Sequence, residues 1–446
     1  MQNVINTLAQ QLFSQLAGHE ILLLSYRGEQ SDFVRFNRSK IRQAGAVEQH
    51  VLTLDLIQRR GQDLHHALAE VNLSGMPDYD QQMLSQQLAE LRELCALVPP
   101  DPHLLFATEV HNSEQIQQGC IAPPDELLDA VLATPQQRRA DLVGILASGT
   151  LYDGFCNSLG QQNWHQSKSF NLDWSFYHSA DKAVKSRYAG LNWDRAELDR
   201  RMTQALTQLE QLAQPARTLT PGSYRAYLAP SALEELTDLL SWGGFGLRSY
   251  RQGASPLARL IEDKTRLHPQ VNLSECAANT VAPGFQETGF VKPDTVALIE
   301  HGAFRQHLVS PRSEREYRIP NTGADNAEMP QALSMAGGEL ASSEVLDCLD
   351  TGLYISNLWY CNYSDRNAGR ITGMTRFATF WVEHGQLREP VNVMRFDDTI
   401  YNLLGQELLA LTRERELLLD AGSYEHRSRR SSELPGLVVK NLRFTL

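Results

Sequence analysis

The chain has 446 residues, enough for more than one hydrophobic core, so two domains are the natural expectation. Its 41 basic side chains against 53 acidic ones leave a net charge of -12, which argues against a nucleic-acid binder held through phosphate contacts. The apolar run Glu20 to Tyr26 is far short of a membrane span and the N-terminus lacks the basic start and apolar core of a secretion signal, so the expectation is a cytoplasmic chain with no membrane association.

Taken in order, Asn3 to Leu16 carries Val4, Leu8, Leu12 and Leu16 at helical spacing and predicts an amphipathic helix. Gly18 to Tyr26 reads as a strand. Phe33 to Gln43 and Val47 to Gln58 read as two longer strands, joined in a hairpin across Ala44-Gly45-Ala46. On the first of these, Arg38, Lys40 and Arg42 share a face by period two, either as a solvated face or as a contact for an acidic partner. Helical periodicity returns at Met83 to Val98, with Leu84, Leu88, Leu91 and Cys95 on one stripe, and Asp125 to Leu132 predicts a short helix after two prolines. Strand-like pieces follow at Leu142 to Ser148, Gln162 to Phe170 and Leu172 to His178, with Trp164 and Trp174 as core residues. Asp194 to Gln214 is a helix whose buried stripe is Leu198, Met202, Leu206 and Leu209.

Pro215 to Pro221 is the expected domain border, dividing the chain into 1–214 and 215–446. Tyr224 to Leu228 reads as a strand. Ser231 and Glu234 have the spacing of a capping box opening a helix that runs to about Trp242. Gly243, Gly244 and Gly246 lack the spacing of a dinucleotide loop and read as a helix stop. The runs Val296 to Arg305 and Thr379 to Arg388 echo one another, each with Glu-His-Gly at a tight turn, so His301 and His384 belong to turns rather than to a pocket. Between Gly352 and Gly385, strands Tyr354 to Cys361 and Met374 to Glu383 flank a polar loop, Asn362 to Gly373. That loop displays Asp365, Arg366, Asn367, Arg370 and Thr372 as a candidate peptide- or partner-binding tip. Ile400 to about Leu419 predicts a helix behind Asp398, and Leu437 to Leu446 a closing strand. The whole reads as α+β: an N-terminal domain of antiparallel strands flanked by helices, then a β-rich C-terminal domain with a few helices.

Cys95, Cys120, Cys156, Cys276, Cys348 and Cys361 form no CxxC pair and have no histidine at zinc-ligand spacing, so they read as reduced thiols. Cys361 borders the polar loop and is the candidate nucleophile of a metal-independent hydrolase, given a histidine from elsewhere in the chain.

Asn357-Leu-Trp-Tyr, the glycine-bearing loop, Ile371-Thr-Gly-Met-Thr-Arg376 and Trp381-Val-Glu-His-Gly385 resemble the TldD/PmbA family, also called the modulator of DNA gyrase family. The resemblance adds Asn357 and Arg376 to the candidate loop. The family's catalytic member is a metalloprotease with HExxxH on the helix that opens the C-terminal domain and a further cysteine ligand near the C-terminus. Two histidines one turn apart bind zinc and the glutamate activates a water. Here the matching helix, Ser231 to Trp242, has no histidine. His19-Glu20 lies in the wrong domain, and the matching C-terminal segment, Ala421 to His426, has no cysteine.

The resemblance is therefore to the metal-free TldE/PmbA-type subunit. It implies no metal or cofactor in this chain, pairing with a TldD-type protease subunit or as a homodimer, and unfolded or modified peptides as substrates. Gln286-Glu287-Thr288-Gly289 stands where the family usually carries Asp-x-Glu-Gly. The alternatives are a homodimeric peptide- or partner-binding protein without catalysis, and the Cys361 hydrolase.

Overall fold

The computed structural model describes residues 1–178, 182–278 and 280–445. Its first half builds one sheet from β1 (Glu20–Asn37), β2 (Lys40–Arg60), β3 (Asp63–Asn72), β4 (Ser113–Gln117), β5 (Asp141–Asn157), β6 (Gln162–His178) and β7 (Lys182–Gly190). The strand order is β3-β2-β1-β5-β6-β4, with β7 also on β6. Helices α1 (Gln2–Phe13) and α2 (Pro77–Leu97) close one core, in which Leu8 and Leu12 meet Leu22, Leu52, Leu84 and Leu88. Helices α3 (Pro124–Arg138) and α4 (Arg195–Leu212) close another over Leu172, Trp174 and Phe176. In α1 the apolar stripe turns on Ile5 rather than Val4, which is exposed.

The first hairpin differs from expectation in its turn. β1 is one continuous strand through the polar stretch Arg27 to Asp32, because β2 and β5 pair with it on both sides and take up its backbone groups. The chain reverses at Arg38 and Ser39, both in left-handed conformation, and Ala44-Gly45-Ala46 lies mid-strand. Ser39 Oγ is tied to the backbone of Ala140 and Leu142. Arg38 is thus a turn residue, and Arg42 is the extra residue of a bulge between the pairs Phe36–Ile41 and Arg35–Gln43, so the basic trio does not share one strand face.

The second half forms an eleven-stranded sheet. Its strands are β8 (Gly222–Leu228), β9 (Leu273–Cys276), β10 (Thr295–Glu300), β11 (Ala303–Phe304), β12 (Ala332–Met335), β13 (Gly352–Asp365), β14 (Arg370–Glu383), β15 (Gln386–Pro390), β16 (Arg395–Thr399), β17 (Leu408–Leu419) and β18 (Ser431–Phe444). The pairings β8–β13–β14–β16–β18 return to β8 and close a ring. Into it packs α5 (Pro230–Ser241), with Ala232, Leu233, Leu236 and Leu240 all fully buried.

Three local expectations change here. Ser231 and Glu234 form no capping box; the helix starts at Pro230 without a side-chain cap and Glu234 is engaged elsewhere. The polar loop contracts to residues 366–369, because β13 and β14 keep pairing out to Asp365 and Arg370. The stretch expected as a helix from Ile400 to Leu419 gives one irregular turn at Asn402–Gln406, a kink at Gly405, and then strand β17 against β18. Its leucines suit either period, and the long partner strand decides. Alternation sends Arg415 to Glu433 at 2.7 Å and Glu416 to Arg201 on α4. The closing strand is present as β18; Leu446 lies outside the described residues.

The Glu-His-Gly turns are tight hairpins. His301 and Gly302, and likewise His384 and Gly385, take positive φ in succession, the twist that two-residue hairpins require.

Candidate functional site

The two halves meet along α5, where the sequence packs its apolar residues inward and leaves Glu234, Glu235 and Asp238 facing a cleft of about 110 Å³. Arg187 of β7 reaches across from the first half to pair with Glu234 and stands 3.2 Å from Asp173. Arg430 approaches Asp238 at 3.4 Å, and Asp420 completes the rim. Glu234 is only 8% exposed, and burial pushes its carboxyl up to about 7 although Arg187 pulls the other way. Burial and the negative charge of Asp238 also raise Glu235, while burial raises Asp238 itself. The cleft therefore holds carboxyls that resist ionising, balanced by two guanidinium groups.

A clasp borders it. Leaving β17, residues 420–430 cross onto the first half before returning as β18. Arg427, 5% exposed, donates to Ser169 Oγ at 2.8 Å and to Ser31 Oγ at 3.3 Å, while its backbone N–H donates to Glu29 at 3.0 Å. No carboxylate pairs with its guanidinium among the described residues, and burial lowers its pKa to about 10. Arg429 pairs with Asp153 at 2.7 Å. Ala421 reaches the cleft, whereas His426 turns away to Arg27, 3.0 Å off, and the Glu425 carbonyl accepts from Gln49.

The stretch Gln286 to Gly289 is a second tie. Ala107 N donates to the Thr288 carbonyl at 2.8 Å and Gln161 Nε2 to that of Gly289 at 2.6 Å. Gly289 has φ of 89° and a Cβ there would meet the Phe155 ring at 2.7 Å, so only glycine fits this approach. Glu287 is raised by burial and by Asp325.

The candidate loop residues are spread along the β13–β14 hairpin. Asn357, buried and bonded to Ser356, is the cross-strand partner of Arg376, which lies over the Trp359 ring at 5.1 Å. Asp365 is opposite Arg370 and accepts from Ala368 N, closing the turn. Arg370 pairs with Asp397 at 3.1 Å, and Thr372 donates to the Phe396 carbonyl and accepts from Arg395. Arg366 folds back over Trp242 and Tyr363, at 4.5 and 5.1 Å, and donates to the carbonyls of Trp242 and Ala254, pinning the tip to the end of α5. Asn367 is exposed in the turn. Cys361 is half-buried, and burial together with the charge of Glu235 pushes its thiol up to about 12.

Sequence reasoning did not single out Arg187, Glu235, Asp238, Asp420 or Arg430. The spacing Glu-Glu-x-x-Asp on one helix face was the available signal; Arg187, Asp420 and Arg430 reach the cleft through tertiary contacts alone. Among the described residues no three His, Cys, Asp or Glu side chains are grouped so as to share a metal ion, and no helix is long and apolar enough to cross a membrane.

Residues 221–446 match the family model described as the PmbA/TldA metallopeptidase C-terminal domain. Among curated proteins nothing matches the chain. Among solved structures, a protein of Thermotoga maritima named for a suggested role as modulator of a DNA gyrase superposes with a TM-score of 0.77 at 13% identity, covering 99% of both chains. TldE of Thermococcus kodakarensis gives 0.75 at 13% identity, over 99% of this chain and 100% of that one. A protein of Bacteroides thetaiotaomicron, also named for a suggested gyrase-modulating role, gives 0.74 at 13%, over 99% and 98%. At that identity the likeness is one of fold.

Proposed function

Because the chain belongs to the PmbA/TldD metallopeptidase family, we propose that it is the TldE/PmbA-type, metal-free subunit of a two-protein peptidase in the cytosol, in which a TldD-type partner carries the zinc. Together the two would trim or degrade unfolded or modified peptides, with this chain forming part of the wall of the peptide channel.

The observation that carries this reading is the make-up of the cleft at α5. The helix and the segment around Ala421, where the catalytic branch of the family carries its ligands, do converge here. What they bring is carboxyls and arginines, with no imidazole or thiolate. Glu234 is engaged by Arg187 and Asp238 faces Arg430, so a dication would have to displace two guanidinium groups from carboxyls whose ionisation burial disfavours. Zinc does not fit this donor set, and no hydrolytic step is assigned to it. The Cys361 route has less support, because a thiol at about 12 supplies almost no thiolate at neutral pH.

Reconstitution tests the proposal. The purified chain alone should leave an unfolded peptide intact and carry no stoichiometric zinc by elemental analysis, and cleavage should appear on adding a TldD-type subunit from the same cell. Cleavage by the chain alone, abolished by a chelator, would overturn it.

A further inference from the structure

A cavity of about 270 Å³ opens between the start of α1 and the β4 edge of the first sheet, and it shares no lining residue with the cleft at α5. Local structure decides what it displays. Gln2 and Asn6, one helical turn apart on α1, share a face. Gln162 and Trp164 share a face of β6, and the parallel register of β4 sets Glu114 beside Trp164. Asn112, just before β4, accepts from the Gln162 N–H through Oδ1 at 2.8 Å, so its Nδ2 is unspent. Asn163 turns to the other side of the strand, where its amide donates to the His111 carbonyl and to Ser113 Oγ, both at 2.7 Å. Trp164, 5% exposed and stacked on Tyr26 with ring centroids 5.6 Å apart, closes the floor.

The lining selects a class of ligand. Among the described residues the side chains of Gln2, Asn6, Gln162 and Glu114 form no hydrogen bond or ion pair, so their capacity is free for a bound molecule. No lysine or arginine lines the cavity and Glu114 repels negative charge, which excludes phosphates and carboxylates. No aliphatic side chain lines it either, which excludes an apolar ligand. A side-chain amide both donates and accepts, and so does a hydroxyl, so a ring bearing several hydroxyls can engage all of these amides at once. A carboxylate can accept from two hydroxyls on neighbouring carbons. The groups come from three directions, α1, the 112–114 segment and β6, an arrangement that suits a compact ligand and not an extended backbone. The volume is just under the roughly 300 Å³ at which drug-sized pockets begin, which is room for one ring.

We infer that this cavity binds an uncharged sugar ring, held by the amides of Gln2, Asn6, Asn112 and Gln162, with Glu114 accepting from adjacent hydroxyls. Ligand-observed NMR titration of the full chain with glucose, galactose, mannose and N-acetylglucosamine tests this, with glucose phosphate and N-acetylglycine methylamide as the anionic and peptide-like controls. At least one of the sugars should bind saturably, and more tightly than either control. Asn6→Ala and Gln162→Ala each remove hydrogen bonds to the ligand and none within the protein, so each should weaken binding about tenfold while the melting temperature stays unchanged. No saturable binding by any of the sugars, binding that either alanine variant leaves intact, or a control that binds as tightly as the best sugar would each overturn the inference.

Discussion

Glu234 sits almost without water on α5, and its position makes stability depend on pH in a definite direction. Its carboxyl ordinarily titrates at 4.5 and in the folded chain at about 7. The folded state therefore binds this proton more tightly than the unfolded one. Its favourable contribution is present below about 4.5 and is lost as pH rises through about 7, on the order of 3 kcal/mol at most. Glu234→Gln removes that titration. The variant should show a smaller loss of melting temperature between pH 4.5 and 7 than wild type, and a variant whose melting curve tracks wild type across that window would disprove the assignment. None of this was legible in the sequence, where Ser231 and Glu234 have the spacing of a capping box. The arginine that claims the glutamate lies 47 residues upstream, a distance no local rule reaches.

The hairpins were the most legible elements, since Glu-His-Gly needs a left-handed backbone at its last residue wherever it occurs. The two copies of that turn differ in their surroundings, however. A Cβ on Gly302 would run into the Leu267 backbone carbonyl, whereas on Gly385 the nearest atom is a carboxylate oxygen of Asp347, the end of a side chain that can move. Gly302→Ala should therefore destabilise the chain by about 2 kcal/mol or more, and Gly385→Ala by about 1 kcal/mol, measured by denaturant unfolding. Helices α2 and α4 were readable because each carries one unbroken apolar stripe, whereas α3 was read from the two prolines at its start and only as far as Leu132, short of its end at Arg138 beyond Pro135. The stretch 400–419 was not, because leucines spaced for either period leave the choice to the neighbouring strand. The candidate loop was misjudged in length for a related reason. Polar residues from Asn362 to Gly373 resemble a loop in one dimension, but β16 and the end of α5 supply partners for them in three.

At the scale of the whole molecule, the halves are joined by more than a linker. Ala378 and Phe380 of β14 belong to the core built on β6 and α4, Arg427 of the clasp is buried against the first sheet, and the half-buried Arg429 pairs there with Asp153. Unfolding followed by calorimetry should accordingly show one cooperative transition. Arg427→Leu takes away the buried cation beside Glu29 and the bonds to Ser31 and Ser169, and should lower the melting temperature and separate the two halves into resolved transitions. A single sharp transition surviving that change would mean that the clasp does not couple them.

The ring of the second sheet closes through β18, which touches β8, β12, β16 and β17 and follows all four along the chain. During synthesis on the ribosome, every one of those strands emerges before the one that joins them. The second half consequently waits as an open framework with exposed apolar surface, and its shielding from proteases depends on β18 leaving the exit tunnel.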